Sequence, residues 1–357
     1  MEITVTKTQH PKLKPTDENK LGFAKTFSDH MFIVEYEEGR GWFDARIVPY
    51  QKLALDPASP VFHYAQEIFE GGKAYALDNG EVGLFRLMDN VRRMNRSAIR
   101  TCMPEIDVDL QYEAICRLVD VDRDWVPKSE GTSLYLRPTM IADGSELGAH
   151  RANRYIYFVI CAPTGPYYPE GLKPVRIRIE TRYVRAVKGG MGGAKTGGNY
   201  AASFLATKEA MDEGFQQVLW LDGREQKYVQ EVGAMNMMFV IDGKIVTSEL
   251  SDTILPGITR DSVMTLAHEM GIEVDVRRIP VAELFEAHEA GLLQETFGTG
   301  TAAVISPVGE LSWNDRSIII NNGEIGPIAQ KFCDTLVGIQ HQRISDSHGW
   351  TSTVPRF

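Results

Sequence analysis

Apolar and polar residues alternate in short runs along the first half of the chain, a pattern typical of half-buried strands. One run turns at Asp78-Asn79-Gly80, residues that favour a tight hairpin. Asp89 is a suitable N-cap for a helix that extends through Met103 and ends before Pro104. The sequence therefore predicts an α+β unit with strand-like runs at Met31 to Tyr36, Tyr75 to Arg86, Thr132 to Ile141 and Tyr155 to Cys161.

A stretch rich in proline and glycine, Ala162 to Gly171, interrupts this pattern and predicts a linker. Beyond it, strand-like and helix-like runs alternate. The expected strands are Val175 to Glu180, Val218 to Leu221 and Met237 to Ile241, and the expected helices are Ala202 to Glu213, Arg260 to Met270, Val281 to Ala290 and Ile328 to Ile344. We therefore predict a small N-terminal α+β domain at 1–163, an interdomain loop at 164–173 and a large C-terminal α/β domain at 174–357.

Length and composition agree with this division. A chain of 357 residues is longer than one hydrophobic core usually organises. The formal net charge of -10 disfavours nucleic acid and anionic lipid as main partners, because both select basic surfaces. The first residues do not resemble a signal peptide and no stretch is long and apolar enough to span a bilayer, so we expect a cytoplasmic protein.

The four cysteines suggest neither a zinc site nor a disulfide framework. Cys102, Cys116, Cys161 and Cys333 lie far apart and form no CxxC pair. We expect buried thiols and no bound metal.

The most unusual stretch runs from Lys188 to Tyr200, where six glycines surround Lys195. One interpretation is a flexible surface loop. A second is a phosphate-binding P-loop, but Ala194 replaces the glycine before the lysine, and Gly197-Gly198 would destabilise the helix that must follow. A third is a Schiff-base lysine, which needs space for a flat aromatic aldehyde; small neighbouring residues provide that space.

Signature blocks along nearly the whole chain resemble the class IV pyridoxal-phosphate aminotransferases, specifically the branched-chain aminotransferases. The blocks of the second half are Lys195-Thr196-Gly197-Gly198-Asn199-Tyr200, Gln217 to Gly223, Glu231-Val232-Gly233-Ala234-Met235-Asn236, Ile254 to Arg260 and Phe297 to Ala302. Those of the first half are Phe62 to Gly71, Leu84-Phe85-Arg86, Arg93 to Ala98 and Leu134 to Pro138.

This resemblance implies an α/β fold of the D-amino-acid aminotransferase type (fold type IV), with an α+β small domain, an α/β large domain and assembly as a homodimer. It implies pyridoxal 5'-phosphate as cofactor. The implied reaction is the reversible transfer of the amino group of leucine, isoleucine or valine to 2-oxoglutarate.

The resemblance also implies which residues hold the cofactor. Lys195 would form the Schiff base and move the proton between the substrate Cα and the cofactor C4′. Glu231 would face the pyridine nitrogen, where a carboxylate favours the protonated ring. Tyr200 would donate a hydrogen bond to the phenolate oxygen, with Arg185 near the same edge. The residues implied for the phosphate, at a helix N-terminus, are Arg93, Ile258, Thr259 and Thr301.

For the substrate, the resemblance implies a carboxylate site at Ala234 and at the turn that contains Ala302 and Ala303. Arg137 would meet the distal carboxylate of glutamate. Aromatic residues would line an apolar side-chain pocket that suits branched aliphatic substrates; these are Phe23, Tyr64, Phe69 and Tyr135. Tyr64 and the loop Leu147-Gly148-Ala149 would also reach into the site of the partner subunit.

Two departures from related sequences are informative. Mammalian members have a redox-active CxxC after the Gly-Thr-Ala turn, where this chain has Ala303-Val304-Ile305-Ser306, so that thiol switch should be absent. Ala234 stands where many members have threonine, so a side-chain hydroxyl near the substrate carboxylate is missing.

Two other function classes stay open from the sequence. A D-amino-acid aminotransferase or an aminodeoxychorismate lyase would keep Lys195, Tyr200 and Glu231 but use a different carboxylate trap, and the pair Tyr135 and Arg137 argues against both. A nucleotide-binding or non-catalytic protein would have to use Lys195 without this cofactor.

Overall fold

A computed structural model describes residues 1–166 and 171–357. Most of its regular structure is strand. The helices are α1 (Pro60–Tyr64), α2 (Leu87–Arg100), α3 (Val108–Val121), α4 (Gly197–Ala201), α5 (Phe204–Asp212), α6 (Ile258–Glu269), α7 (Val281–Glu289) and α8 (Pro327–Gln340). Short 3-10 helices lie at Glu18–Lys20, Arg123–Trp125 and Asn321–Gly323.

The strands divide into two sheets. The first contains β1 (Thr4–Val5), β2 (His30–Glu37), β3 (Gly41–Pro49), β4 (Glu67–Phe69), β5 (Gly72–Ala76), β6 (Val82–Phe85), β7 (Ser133–Asp143), β8 (Arg154–Thr164) and β18 (Thr351–Thr353). The second contains β9 (Val175–Ile179), β10 (Gln217–Leu221), β11 (Val229–Val232), β12 (Met235–Ile241), β13 (Lys244–Thr247), β14 (Val274–Val276), β15 (Leu293–Gly300), β16 (Val304–Trp313) and β17 (Arg316–Ile319).

The first sheet has the order β1-β3-β2-β8-β7-β5-β6-β18, with β4 added beside β7. Its pairs are antiparallel except for β1 with β3. Alternate residues of β7 point to opposite faces, so Leu134, Leu136 and Met140 enter the core while Tyr135 and Arg137 face the other side. One face of β7 therefore packs in the apolar core, and the opposite face presents polar and aromatic side chains.

Helices α2 and α3 cover the core face of this sheet. Met94 and Ala98 of α2 and Ile115 and Leu118 of α3 are fully buried in one apolar cluster with the strands. Asp107 caps α3, because its carboxylate accepts a hydrogen bond from the Leu110 N–H at 2.8 Å.

The predicted start of α2 was wrong. The helix begins at Leu87, two residues before Asp89, and Arg86 occupies the N-cap position with a left-handed φ of 49°. Asp89 lies in the first turn instead, where its carboxylate accepts a hydrogen bond from Arg86 Nε at 2.7 Å. The acid therefore stabilises the helix start through charge, without being the cap.

The second sheet has the order β11-β10-β9-β16-β15-β12-β13-β14, and β17 pairs with β16. Strand β11 also pairs with β12, which closes six strands into a ring. Parallel and antiparallel pairs are mixed, since β9 runs parallel to both β10 and β16. Helix α5 packs Ala206 and Ala210 against Val218 and Trp220 of β10.

The chain forms two compact units that divide the sequence differently from the predicted boundaries. One unit begins at Met1 and extends to the undescribed segment 167–170, and also includes Lys195–Gly197 and Gly338–Phe357. The other contains most residues between 171 and 337. The C-terminal segment belongs to the first unit because Thr351–Thr353 pairs with β6, a long-range pairing that local patterns do not reveal. Of the predicted interdomain loop, Thr164 ends β8 and 167–170 lie outside the described residues.

Two smaller expectations, buried thiols and a helix broken by Gly197-Gly198, need correction. Cys116 and Cys161 are buried as expected, but Cys102 is exposed after the end of α2 and Cys333 is half-buried. The pair Gly197-Gly198 does not prevent a helix, because α4 begins there. In the parts of the chain that are described, no helix is long and apolar enough to cross a membrane.

The C-terminal strand generates a stability prediction. Val354 is 1% exposed, and its N–H donates to Val82 O at 2.8 Å. We expect Val354→Ala to destabilise the first unit by roughly 1 to 2 kcal/mol, because two buried methyl groups are lost. Thermal unfolding followed by circular dichroism would show a lower melting temperature, whereas the exposed Arg356→Ala should leave it unchanged. Equal melting temperatures for both variants would contradict the packing of this segment.

Candidate active site

Lys195 is fixed by backbone contacts to the short strand β4. The Phe69 N–H donates to Lys195 O at 3.0 Å, and Thr196 Oγ1 donates to Glu67 O at 2.7 Å. The Lys195 N–H in turn donates to Ser97 Oγ of α2 at 2.9 Å. Two hydrogen bonds therefore hold the Lys195 backbone against β4 and α2, and the Thr196 hydroxyl adds a third from the next residue.

The Lys195 amine lies over an aromatic wall. Its Nζ is 5.0 Å from the centroid of the Phe69 ring, and the guanidinium carbon of Arg137 lies 4.6 Å from the same centroid. Arg137 Nη2 donates to the Tyr135 hydroxyl at 3.0 Å, and the Phe23 ring meets the Tyr135 ring edge to face at 5.0 Å. The amine of Lys195, the guanidinium of Arg137 and three aromatic rings thus lie together; that they form a substrate pocket stays a prediction.

Arg93 forms a buried ion pair with Glu70. Its Nε and Nη2 donate to the two carboxylate oxygens of Glu70 at 2.7 and 2.9 Å, and the side chains are 4% and 1% exposed. Asn90 Nδ2 also donates to this carboxylate, at 2.9 Å. Burial raises the pKa of Glu70, but the charges of Arg93 and Lys195 and these hydrogen bonds outweigh burial and leave the pKa below its usual value. Glu70 therefore adds a fixed negative charge near Lys195.

In the second unit, Glu231 of β11 is the centre of a polar cluster. Its Oε2 lies 3.0 Å from Arg185 Nε, and both side chains are less than a tenth exposed. Its Oε1 accepts hydrogen bonds from the Leu255 N–H at 2.7 Å and from Asn236 Nδ2 at 3.2 Å. The resemblance implied Arg185 near the cofactor edge that Tyr200 would meet, and the structure places its guanidinium against Glu231.

The two turns predicted for the substrate carboxylate lie side by side. Ala234 is in the turn between β11 and β12, and the turn between β15 and β16 contains Thr301, Ala302 and Ala303. Because β12 and β15 pair with Asn236 opposite Thr299, the two turns meet at one end of the sheet.

The predicted phosphate site is also at this end of the second sheet. Helix α6 begins at Ile258 and Thr259, whose backbone N–H groups lie in its first turn. A Cβ added to Gly257 would be 1.9 Å from Asn236 Oδ1, so only glycine allows the helix start to approach β12 this closely. Thr299 is 2% exposed, and its Oγ1 has no hydrogen-bond partner among the described residues.

Two further predicted aromatic residues, Tyr200 and Tyr64, lie on short helices. Tyr200 is half-buried in α4. Tyr64 ends α1, is 45% exposed, and donates a hydrogen bond from its hydroxyl to Leu147 O at 2.5 Å. The structure thus joins Tyr64 to the loop that the resemblance implied for contact with a partner subunit.

The sequence reasoning did not single out four residues of these clusters, although each lies within a quoted block: Glu67, Glu70, Asn236 and Thr299. Strand alternation carried a usable signal for Glu67, which shares a face with Phe69. The pairing of Thr299 with Asn236 is visible only in the folded chain.

Comparisons with known proteins agree with the geometry. A model of the class IV amino-transferase family matches residues 67–311. The chain is 50% identical to branched-chain-amino-acid aminotransferase 2 of Bacillus subtilis (strain 168), covering 99% of this chain and 97% of that protein. It is 49% identical to the probable branched-chain-amino-acid aminotransferase of Staphylococcus aureus (strain N315), covering 99% of both chains.

Solved structures show the same similarity. The T.th. branched-chain amino acid aminotransferase complexed with N-(5'-phosphopyridoxyl)-L-glutamate matches with a TM-score of 0.76 at 30% identity, covering 91% of this chain and 98% of that chain. The branched-chain amino acid aminotransferase from Escherichia coli matches with a TM-score of 0.71 at 26% identity, covering 91% and 99%. The family resemblance and the fold type expected from the signature blocks are confirmed.

The buried pair of Arg93 and Glu70 generates a prediction for stability. Glu70→Ala leaves the Arg93 charge buried without its partner, which typically costs about 3–5 kcal/mol. We expect a clearly lower urea midpoint of unfolding. Glu113→Ala is the matched control, since Glu113 pairs with Arg117 while 45% exposed, and exposed pairs contribute about 1 kcal/mol or less. Similar midpoints for the two variants would contradict a buried Arg93 charge that depends on Glu70 as its partner.

Proposed function

The chain belongs to the class IV aminotransferase family, and we propose that, as a branched-chain-amino-acid aminotransferase, it transfers the amino group of leucine, isoleucine or valine to 2-oxoglutarate. The products are the branched-chain 2-oxo acids and glutamate. The observation that carries the proposal is the pocket wall on which Lys195, Arg137 and the rings of Phe69 and Tyr135 meet. The names of the similar proteins favour this substrate class over a D-amino-acid aminotransferase or a lyase.

The residues present fit pyridoxal 5'-phosphate. The unpartnered hydroxyl of Thr299 and the N–H groups at the start of α6 offer hydrogen-bond donors to a phosphate, and Thr301 follows in the next turn. Arg93 would add a cation, oriented by its pair with Glu70. A protein with a net negative charge can bind a phosphate in this way, because hydrogen-bond donors and a cation are concentrated at the binding site.

The cofactor, when bound, supplies the carbonyl that accepts the amino group and a ring that withdraws electrons from the substrate Cα. Lys195 would hold the cofactor covalently and, once released by the substrate amine, would take the proton from Cα. Glu231 would hold a proton on the ring nitrogen, with its other contacts to Asn236 and Leu255 fixing the carboxylate. Tyr200 would donate to the phenolate oxygen.

The pocket wall accounts for two kinds of substrate. The rings of Phe23, Phe69 and Tyr135 offer an apolar surface to an aliphatic side chain, while Arg137 offers a charge to the distal carboxylate of glutamate. The Tyr135 hydroxyl accepts a hydrogen bond from Arg137 and so orients the guanidinium. Ala234, Ala302 and Ala303 would bind the α-carboxylate through the backbone of their turns.

We also propose a homodimer. Phe62, Tyr64 and Leu147 are 60%, 45% and 62% exposed, and the hydrogen bond between Tyr64 and Leu147 O links the two exposed segments. Apolar residues this exposed favour contact with another chain. In the proposed dimer, Tyr64 and the loop Leu147-Gly148-Ala149 reach into the partner subunit's pocket.

Lys195→Ala tests the catalytic assignment. We expect transamination between leucine and 2-oxoglutarate to fall by more than about a thousandfold, because no other amine replaces this general base. The fold should stay intact by circular dichroism. Lys188→Ala in the same glycine-rich loop is the control, and it should keep nearly full activity. Substantial activity in Lys195→Ala would overturn the assignment.

Arg137→Ala separates the two halves of the reaction. The specificity constant for glutamate should fall at least about tenfold relative to that for leucine, because leucine has no charge for the guanidinium to meet. Single-turnover absorbance changes with each amino acid measure the halves separately. The Arg92 side chain is 59% exposed, so Arg92→Ala is the control and should change neither specificity constant. Equal losses for the two substrates would mean that Arg137 has a structural role or binds the α-carboxylate.

A further inference from the structure

Glu67 is a charged residue on the pocket face that the proposed reaction does not use. It is the first residue of β4, where it pairs with Ile141 of β7, and Phe69 pairs with Thr139. Because directly opposed residues share a face, Glu67 and Phe69 lie on the same side as Tyr135 and Arg137. Ile68, between them, points into the fully buried core on the other side.

The Glu67 side chain is anchored to the segment that carries Lys195. A Cβ added to Gly197 would lie 1.7 Å from Glu67 Oε1, so the carboxylate is in direct contact with the backbone of that glycine. The Gly197 N–H forms a hydrogen bond with the carboxylate, and Thr196 Oγ1 donates to Glu67 O at 2.7 Å. Gly197 follows Lys195 by two residues. Its contact therefore holds the Glu67 carboxylate at a defined place against the segment that carries the lysine.

The charge of Glu67 acts on Arg137. Burial raises the pKa of Glu67, while the Gly197 N–H and the positive charge of Arg137 work in the opposite direction. No direct ion pair joins Glu67 and Arg137 within the described residues, so the guanidinium keeps donors for another acceptor. Arg137 Nε is buried without a hydrogen-bond partner in the described part of the chain. A substrate carboxylate would meet that donor.

We propose that Glu67 is a specificity-determining residue, whose carboxylate on the same face of the sheet as Arg137 weakens the binding of substrates with a second carboxylate relative to aliphatic substrates. The inference rests on the proposed role of Arg137. A distal carboxylate held by Arg137 must enter the field of a second negative charge in a partly desolvated pocket, and like charges repel. An aliphatic side chain carries no charge and does not experience this repulsion. Glu67 thus sets the balance between the two substrate classes that one pocket must accept.

The test compares two amino acceptors. The observable is the specificity constant for 2-oxoglutarate divided by that for 4-methyl-2-oxopentanoate, measured with the cofactor-loaded enzyme. Glu67→Gln keeps the shape and the acceptor for the Gly197 N–H but removes the charge, and should raise the ratio at least about threefold. Glu67→Ala, a second neutral variant, should raise the ratio as well. Glu67→Asp keeps the charge and should leave the ratio near that of the unmodified enzyme. Glu130→Gln, an exposed position in the same unit, is the control for the loss of one charge.

The outcomes separate this inference from the proposed function. An unchanged ratio in both neutral variants, or an equal change in Glu67→Asp and Glu67→Gln, would overturn the role of Glu67. If Arg137→Ala still lowers the ratio in that case, the proposed dual-substrate pocket stands. If Arg137→Ala leaves the ratio unchanged, the role of Arg137 fails and the inference about Glu67 fails with it.

Discussion

The attachment of the Lys195 backbone to strand β4 is the constraint on which the proposed chemistry depends. Strand β4 has only three residues; it pairs with β7, and its Phe69 N–H binds Lys195 O. The same strand therefore positions the lysine amine and, through β7, the guanidinium of Arg137. Because side chains alternate along a strand, the residues between these positions enter the core and stabilise the arrangement. The reactive face and the apolar core are two sides of one sheet.

Buried charges fix the remaining groups. The pairs of Arg93 with Glu70 and of Arg185 with Glu231 are both almost fully buried, and each carboxylate has further hydrogen bonds. Such pairs contribute little net stability compared with apolar packing, since desolvation offsets much of their attraction. Their value is positional: a buried ion pair whose carboxylate accepts further hydrogen bonds holds that charge in one orientation. Active sites need that orientation for groups that bind charged cofactors and substrates.

Local patterns were sufficient for much of the fold, whereas the site residues were predicted from the family resemblance of the signature blocks. The strands around Met31, the hairpin at Asp78-Asn79-Gly80 and the helix around Arg260 follow from periodicity and turn chemistry. The glycine-rich stretch around Lys195 left a surface loop, a P-loop and a Schiff-base lysine open, and the resemblance of the surrounding signature blocks to one family selected the third. Long-range features were not predictable in this way. The pairing of Thr351–Thr353 with β6 connects segments far apart in the sequence, and no local signal specifies it.

The same limit applies within the site. Arg93 and Glu70 lie on a helix and just after a strand, so only the folded chain reveals that they form a pair. Glu67 resembles a solvent-exposed strand residue in the sequence; only the folded chain shows its contact with Gly197 and its position on the same face of the sheet as Arg137. The sequence thus reveals residues in an unusual local composition, whereas the structure reveals residues whose importance comes from contacts with distant parts of the chain.

The most direct test of the central claim is to locate the lysine that carries the cofactor. Borohydride reduction of the cofactor-loaded enzyme makes the linkage permanent, and tryptic digestion followed by mass spectrometry identifies the modified peptide. We expect the added mass on the peptide from Gly189 to Lys208, because trypsin does not cleave after a modified Lys195. Modification of Lys188 or any other lysine in its place would contradict the catalytic role of Lys195.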